Sequence, residues 1–385
     1  MNVKNKVLLL FSRDPGGANA IIPLIEPLSK KGYRVNLFGK DIALAKYAKA
    51  GLPAVNIMEH IDEVNLSEVD KFVISQMPDF IITGTSADDM TEKYIWKAAE
   101  QHGIPCFAIL DQWVNYGVRF SRYSVSELKR YYQNKDHAFL PTKILVMDDL
   151  AKQKAVEEGL EESRILITGQ PYFETIKNAL NNISKKDIDE LHKKLEIQKD
   201  DYVIVFASEP ISKTYHEADD SNHFWGYTER TILRSLLDAL TELAPKKNKT
   251  AKVIIRPHPK EDKENFNDIV AVYEGNGISL AIDESTDSSL LIAASDLVCG
   301  MSSMFLIESA VFGKPVISVQ IGLCRENPFI LDQIGISKSV LTKDELDKEL
   351  SKIIEKDFSS VGQFKVENEP VKKVIDAMEF LLCQN

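Results

Sequence analysis

Cysteine is scarce in this chain and scattered. Cys106, Cys299, Cys324 and Cys383 form no Cys-x-x-Cys pair and have no histidine at ligand spacing, which excludes a zinc site and a disulfide scaffold. Cys106 and Cys299 lie in apolar, strand-like runs and read as small core residues. No apolar run approaches the roughly 18 to 20 residues that a membrane-spanning helix needs. The opening "MNVKNKVLLLFSRDPGG" passes from a short apolar run into Arg13 and Asp14 without a small-residue cleavage site, so it reads as a first strand and not as a leader. Positive charge is in deficit: 47 basic against 58 acidic side chains leave a formal net charge of −11, the wrong sign for an electrostatically driven nucleic-acid binder. There is no Gly-x-Gly-x-x-Gly and no P-loop, so a dinucleotide site of the usual kind is unsupported. No Asp-x-Asp stands at a strand end, and Asp88-Asp89 reads as the cap of the helix after it. These absences predict a cytoplasmic protein with at most peripheral membrane association, no nucleic-acid partner, no cofactor and no required metal.

What is present is a regular alternation. At 385 residues the chain exceeds the size at which one core usually stops growing, so two domains are expected. Short apolar runs alternate with amphipathic stretches, the pattern of parallel sheets wrapped by helices. Strands are expected at 7–12, 34–39, 80–83, 106–110, 144–147 and 164–168, then at 202–207, 252–256, 279–282, 296–299 and 315–319. Helices are expected at 19–31, 89–102, 229–244, 288–294 and 304–312, with Gly32 and Gly103 placed as C-terminal caps. The charged stretch 181–201 carries no strand signal and reads as the linker region. The division is therefore 1–175 for a first α/β domain, 200–362 for a second, and 363–385 for a C-terminal helix. The apolar spacing of Val371, Ile375, Met378, Leu381 and Leu382 gives that helix one buried face, directed at the first domain.

In open α/β sheets ligands bind beyond the carboxyl ends of the strands, which selects the turns to weigh. After the first strand, "SRDPGGANA" opens a helix on Gly16 and Gly17, whose backbone could approach an anion closely, with Asp14 beside them. "LDQWVNYGVRF" follows another strand and gathers Asp111, Trp113, Asn115, Tyr116 and Arg119. This mixture suits an acceptor site; the alternative is an Asp111–Arg119 pair with the aromatics packed beneath. In the second half, "FASEPIS" places Glu209 in a polar turn, and "VIIRPHPKED" places Arg256 and His258 at a strand end. Pro257 and Pro259 fix the backbone on both sides of the imidazole, which can then donate to a phosphate oxygen. "GMSS" opens a helix whose free amides, with the Ser302 and Ser303 hydroxyls, make a phosphate cradle; Glu308 lies about a turn and a half farther on, within reach of ribose hydroxyls.

The segments "RPHP", "GMSSMFLIESAVFGKPVI" and "RILITGQPYFE" resemble the GT-B superfamily of nucleotide-sugar glycosyltransferases. Within it the likeness is to bacterial enzymes with CMP- or CDP-activated donors: sialyltransferases, Kdo transferases and CDP-glycerol glycerophosphotransferases. It covers most of the second domain and only the layout of the first. The resemblance implies two Rossmann-like domains facing a central cleft, with a C-terminal helix crossing back to the first. It also implies transfer of a sugar or polyol phosphate from a nucleotide donor to a glycan or lipid-linked acceptor, in surface polysaccharide synthesis, by a metal-independent inverting reaction. His258 would then touch the donor phosphate and assist its departure, Ser302 and Ser303 would hold that phosphate, and Glu308 would sit by the ribose. Inverting sialyltransferases use an acidic base in a motif of two acids then glycine; "LDQWVNY" offers Asp111 without the second acid or the glycine. Asp111 is the expected base and Asp14 its reserve. Two other readings stand beside this one. A UDP-GlcNAc 2-epimerase shares the architecture and the "GKPVI" segment but usually carries a Ser-Gly-Gly turn, and a non-catalytic nucleotide or glycan binder could share the fold.

Overall fold

A computed structural model describes residues 6–215, 224–246, 250–275, 277–355 and 367–384. The chain forms two compact units. Unit 1 holds Met1–Thr175 and Val366–Asn385, and unit 2 holds Ile176–Lys365.

Unit 1 is built on seven strands: β1 (Val7–Ser12), β2 (Arg34–Gly39), β3 (Val55–Asn56), β4 (Phe80–Thr83), β5 (Cys106–Ile109), β6 (Lys143–Val146) and β7 (Ile165–Ile167). They lie in the order β3-β2-β1-β4-β5-β6-β7, and every pairing is parallel. A parallel sheet is covered on both faces, so its strands read as continuous apolar runs; Leu8, Leu9, Leu10 and Phe11 of β1 are all fully buried. The crossovers are α1 (Pro15–Lys30), α2 (Ile42–Lys49), α3 (Leu66–Gln76), α4 (Thr91–Gln101), α5 (Leu128–Asn134) and α6 (Asp149–Glu157). Pro15 opens α1, where its missing N–H removes nothing from the helix, and Gly32 follows its end at φ 93°, a left-handed turn that favours glycine. The cap expected at Asp88-Asp89 falls one residue outside the helix: the N-cap position of α4 is Met90, and Asp89 before it accepts the Thr91 N–H on Oδ1 at 2.8 Å.

Unit 2 carries β8 (Asp201–Ala207), β9 (Thr250–Arg256), β10 (Ile278–Ile282), β11 (Leu297–Gly300) and β12 (Val316–Ser318) in the order β10-β9-β8-β11-β12, again all parallel. α7 (Pro171–Asn182) contains the point of division between the units, and 181–201 is not the open linker its charge suggested. It folds as α8 (Lys185–Lys194), started by a reciprocal Ser184–Asp187 capping box and seated through buried Leu191. The remaining helices are α9 (Ile211–Tyr215), α10 (Glu229–Lys246), α11 (Asn267–Tyr273), α12 (Ser288–Ala294), α13 (Met304–Val311), α14 (Ile330–Gln333), α15 (Lys343–Ile354) and α16 (Pro370–Gln384). The last of these belongs to unit 1. Its Val371, Val374, Ile375, Met378 and Leu382 are buried in the core that contains Leu8 and Leu10 of β1 and Ile21, Leu24 and Leu28 of α1, and Glu379 pairs with Lys31 at 2.9 Å.

The strand orders place two sites. In each sheet the chain leaves its first strand in one direction and later returns to pair on the other side, so β1/β4 and β8/β11 are topological switch points, where loops diverge and leave a crevice at the carboxyl ends.

Candidate active site

On unit 2, β9 ends at Arg256 and the chain turns through Pro257-His258-Pro259. The turn is closed on itself: the Glu261 N–H donates to the His258 carbonyl at 2.8 Å, and the His258 N–H returns a bond to Glu261 Oε2 at 2.7 Å. Ser208, just beyond β8, donates its hydroxyl to Glu261 Oε1 at 2.8 Å, which ties the histidine turn to the neighbouring strand. The Lys260 N–H donates to His258 Nδ1 at 3.1 Å. Burial, with Lys260 nearby, pushes the imidazole down to about 4, so at neutral pH it is uncharged. A neutral ring that accepts at Nδ1 carries its hydrogen on Nε2, which makes His258 a fixed neutral donor. Glu261 is pushed up to about 7 by burial, against its bonds to His258 and Ser208.

Arg256, expected to contact a donor, is engaged elsewhere: its guanidinium bonds the carboxylate of buried Asp283 at 3.0 Å and the Asp283 carbonyl at 3.2 Å. That pair fixes the end of β9 against β10. Beside the histidine turn opens a cavity of about 470 Å³, whose lining includes Pro210, Lys213, Glu229, Lys260, Glu261 and Lys263. The volume falls within the usual range for small-molecule sites, and the lining carries both signs of charge, with three lysines beside Glu229, Glu261, Asp262 and Glu284.

The amides opening α13 were expected to stand ready for a phosphate. The structure gives them to Glu209. Its Oε1 accepts the Ser302 N–H at 2.5 Å and its Oε2 accepts the Ser302 hydroxyl at 3.0 Å; burial raises this carboxyl, against the pull of the Ser302, Ser303 and Met301 N–H groups. Ser303 caps the helix, its Oγ accepting the Phe305 N–H at 3.2 Å, which leaves the hydroxyl hydrogen to donate outward. Glu308 lies half-buried in the second turn of α13. His258, Ser302, Ser303 and Glu209 thus share the carboxyl edge of one sheet, on the turns after its three central strands.

On unit 1, the helix α1 descends onto the strand ends so closely that only glycine fits. A Cβ on Gly16 would lie 1.6 Å from Asp111 Oδ2, and one on Gly17 would lie 3.1 Å from the Gly84 Cα. The two glycines therefore serve packing. Asp111, the expected base, is only 5% exposed and pairs with Arg119 at 3.2 Å; Arg119 also bonds the Thr85 carbonyl at 2.5 Å and its hydroxyl at 3.1 Å. Burial raises the Asp111 carboxyl, against the pull of Arg119. Trp113 and Tyr116 are buried as well, the indole donating to Asp148 at 2.8 Å and stacking on Phe173. This cluster is the alternative given above, an internal ion pair floored by aromatics. Of the expected acceptor residues, Asn115 remains half-exposed, at φ 56°.

Asp14 is different. Its side chain is 38% exposed at the end of β1, with Arg13 Nη1 at 3.2 Å, and its charge raises the carboxyls of both Glu92 and Asp111. Arg13 also holds Asp41 at 2.7 Å, while Lys40 holds Asp89 at 2.7 Å. Glu92 was not singled out in the sequence. It is fully buried, accepts the Arg13 N–H on Oε1 at 3.2 Å, and has no hydrogen-bond partner on Oε2. Burial foremost, then Asp14 and Asp89, push it up to about 8, so it is a neutral acid at pH 7. Among the described residues, no three His, Cys, Asp or Glu side chains gather as a metal site, and no helix is long and apolar enough to cross a membrane.

The fold is shared with solved structures of low sequence identity. A UDP-GlcNAc 2-epimerase from Neisseria meningitidis, bound to UDP-GlcNAc, superposes with a TM-score of 0.67 at 16% identity, covering 99% of this chain and 100% of that one. A glycosyltransferase from Rickettsia africae gives 0.59 at 14% over 99% and 94%. MurG from Acinetobacter baumannii gives 0.54 at 11% over 97% and 99%. These likenesses establish two Rossmann-like sheets of GT-B type. No curated protein matches by sequence. The family model for CDP-glycerol:poly(glycerophosphate) glycerophosphotransferase matches residues 102–378, a span that includes the His258 turn, the Glu209 turn and the start of α13. The protein is a transferase that draws on a nucleotide-activated donor, and it belongs to the CDP-glycerol:poly(glycerophosphate) glycerophosphotransferase family.

Proposed function

We propose that the chain transfers a polyol phosphate, or a related sugar, from a cytidine-nucleotide donor to a hydroxyl of a glycan or lipid-linked acceptor, in the building of a surface polymer. The observation that carries this reading is His258, a neutral Nε2–H donor held by two prolines, the Lys260 amide and Glu261 at the carboxyl edge of unit 2. With a CDP-linked donor, the acceptor oxygen loses its proton to a base and forms a bond to the outer phosphorus. The pyrophosphate P–O bond breaks, and CMP leaves with its new charge stabilised by the His258 hydrogen. An already aimed neutral donor suits this task, because CMP needs stabilisation and not protonation. On unit 1 the base falls to Asp14, because Asp111 is buried and committed to Arg119.

The test is a donor panel: CDP-glycerol, CDP-ribitol, CMP-sugars and UDP-GlcNAc, each with polyol-phosphate and glycan acceptors, read as released nucleotide and extended acceptor. CMP release coupled to acceptor extension is the expected result. The epimerase reading draws on the architecture shared with the Neisseria enzyme. It prevails if UDP-GlcNAc is converted at its sugar while the nucleotide stays attached. Tight CMP binding with no turnover across the panel would leave only a binder.

A further inference from the structure

β8 is the central strand of its sheet, flanked by β9 and β11. The two residues beyond Ala207 bond to the turns on either side. Ser208 reaches toward the β9 turn, donating to Glu261 at 2.8 Å. Glu209 reaches toward the β11 turn and takes the Ser302 N–H and hydroxyl. One turn therefore yokes the histidine loop to the serine loop. The amides opening a helix form a seat for an anion, and here the seat at the switch point contains the chain's own carboxylate.

We propose that Glu209 is a positioning residue for transfer: its carboxylate stays in the α13 seat throughout turnover, fixes the Ser302–Ser303 turn, and keeps the donor phosphate outside the seat. The phosphate is then met by His258 Nε2–H and the Ser303 hydroxyl hydrogen, not by the helix amides. Pro210 restricts the Glu209 backbone, and the Glu209 carbonyl accepts the Ile211 N–H at 2.7 Å, so the side chain departs from a fixed base. A phosphate drawn into the same seat would have to expel a carboxylate held by both the N–H and the hydroxyl of Ser302. This inference rests on the reading that the donor binds at this edge.

The experiment compares Glu209→Ala, Glu209→Gln and His258→Ala in the full chain, with CMP binding by calorimetry and CMP release from CDP-glycerol as readouts. Glu209→Ala should lower turnover by about 30- to 100-fold, the size expected of a loop displaced by about an ångström, while CMP affinity stays within about threefold. Formate at tens of millimolar should refill the seat and restore turnover at least about tenfold without raising the donor KM, because the two anions occupy different places. Glu209→Gln keeps the shape but turns an amide against N–H donors. It should lose about tenfold or more in turnover with CMP affinity kept, and it carries the test if the alanine variant does not fold. The inference is overturned if Glu209→Ala binds CMP tenfold more tightly, if formate competes with CDP-glycerol, or if both variants keep full turnover. The first two results would make Glu209 a placeholder that the donor phosphate displaces. His258→Ala separates the two levels: CMP affinity unchanged by that substitution removes the donor edge itself, whatever Glu209 does.

Discussion

The two sheets fan out from their first strands in the same order, yet they close the crevice at the switch point with different materials. In unit 1 the closure is backbone: Gly17 lies against Gly84, and Gly16 leaves room only for the Asp111 carboxylate. In unit 2 the closure is a side chain, Glu209, bonded to the turn that opens α13. A closure made by glycine contact leaves no side chain at the switch point itself, and the exposed carboxylate of unit 1 stands at its rim, Asp14 beside Arg13. A crevice closed by a bonded carboxylate keeps a polar surface in place, and two further turns, at His258 and at Ser303, can present donors around it. The two raised acids differ in the same way. Glu261 of unit 2 has both oxygens bonded, whereas Glu92 of unit 1 has a bare Oε2.

The comparison is broken most directly at the histidine. His258→Ala should lower transfer by about 10³-fold, within the usual range for a group acting at the reacting centre, and should weaken CMP binding as well, because the same hydrogen meets phosphate before and during departure. A turnover close to wild type would show that the polar closure of unit 2 is only structural. On unit 1, Asp14→Asn should lower turnover by about 10²-fold with CMP affinity unchanged. If Asp111→Asn has that effect and Asp14→Asn has none, the base is the buried residue and the rim assignment fails. The contrast has a stability side. Asp111→Ala strands the Arg119 charge and should cost about 3 to 5 kcal/mol in denaturant unfolding, as breaking a buried pair does. Gly16→Ala, which drives a methyl into that pinned carboxylate, should cost about 1 to 3 kcal/mol. A neutral result there would mean that α1 can lift off the sheet edge.

How far these features were legible depends on how far apart the partners lie. β1, β2 and β4 fall on the residues expected, because β1 and β4 are apolar runs cut off by turn residues and β2 follows the Gly32 turn. α8 was not seen: its charge hid two apolar residues, Ile188 and Leu191, with Leu195 at its C-cap, and the available signal was the Ser184–Asp187 box. His258 was legible because its constraint is local, two prolines in a run of four residues. The seat at α13 was legible as a pattern, but its occupant was not, since Glu209 and Ser302 are 93 residues apart and meet only through the strand order. Glu92 was hidden for the same reason, 79 residues from the Arg13 amide it bonds. Buried charge reads in a sequence as one more polar position on a helix.

Glu92 gives the finest test of the difference between the closures. Its carboxyl is raised to about 8 in the folded chain, from an ordinary 4.5. Below 4.5 both folded and unfolded states hold the proton, and its favourable contribution is fully present. Between about 4.5 and 8 the unfolded state has released the proton while the folded state keeps it, so unfolding releases a proton and the contribution is lost as pH rises. Glu92→Gln keeps an acceptor for the Arg13 N–H and removes the titration. The variant should match wild type near pH 4.5 and gain stability progressively as pH rises to 8, by about 1.4 kcal/mol per pH unit between the two values, read as a rising melting temperature. The matching substitution in unit 2, Glu261→Gln, removes a carboxyl raised to about 7 but replaces one of two bonded oxygens with an amide nitrogen facing a donor. It should therefore gain nothing at pH 8. Melting curves of the two variants across pH 4.5 to 8 decide the matter: a stabilised Glu92→Gln beside an unstabilised Glu261→Gln confirms that the bare oxygen sets the two acids apart. Equal gains in both would show that burial alone governs them and that the bonding around Glu261 contributes nothing.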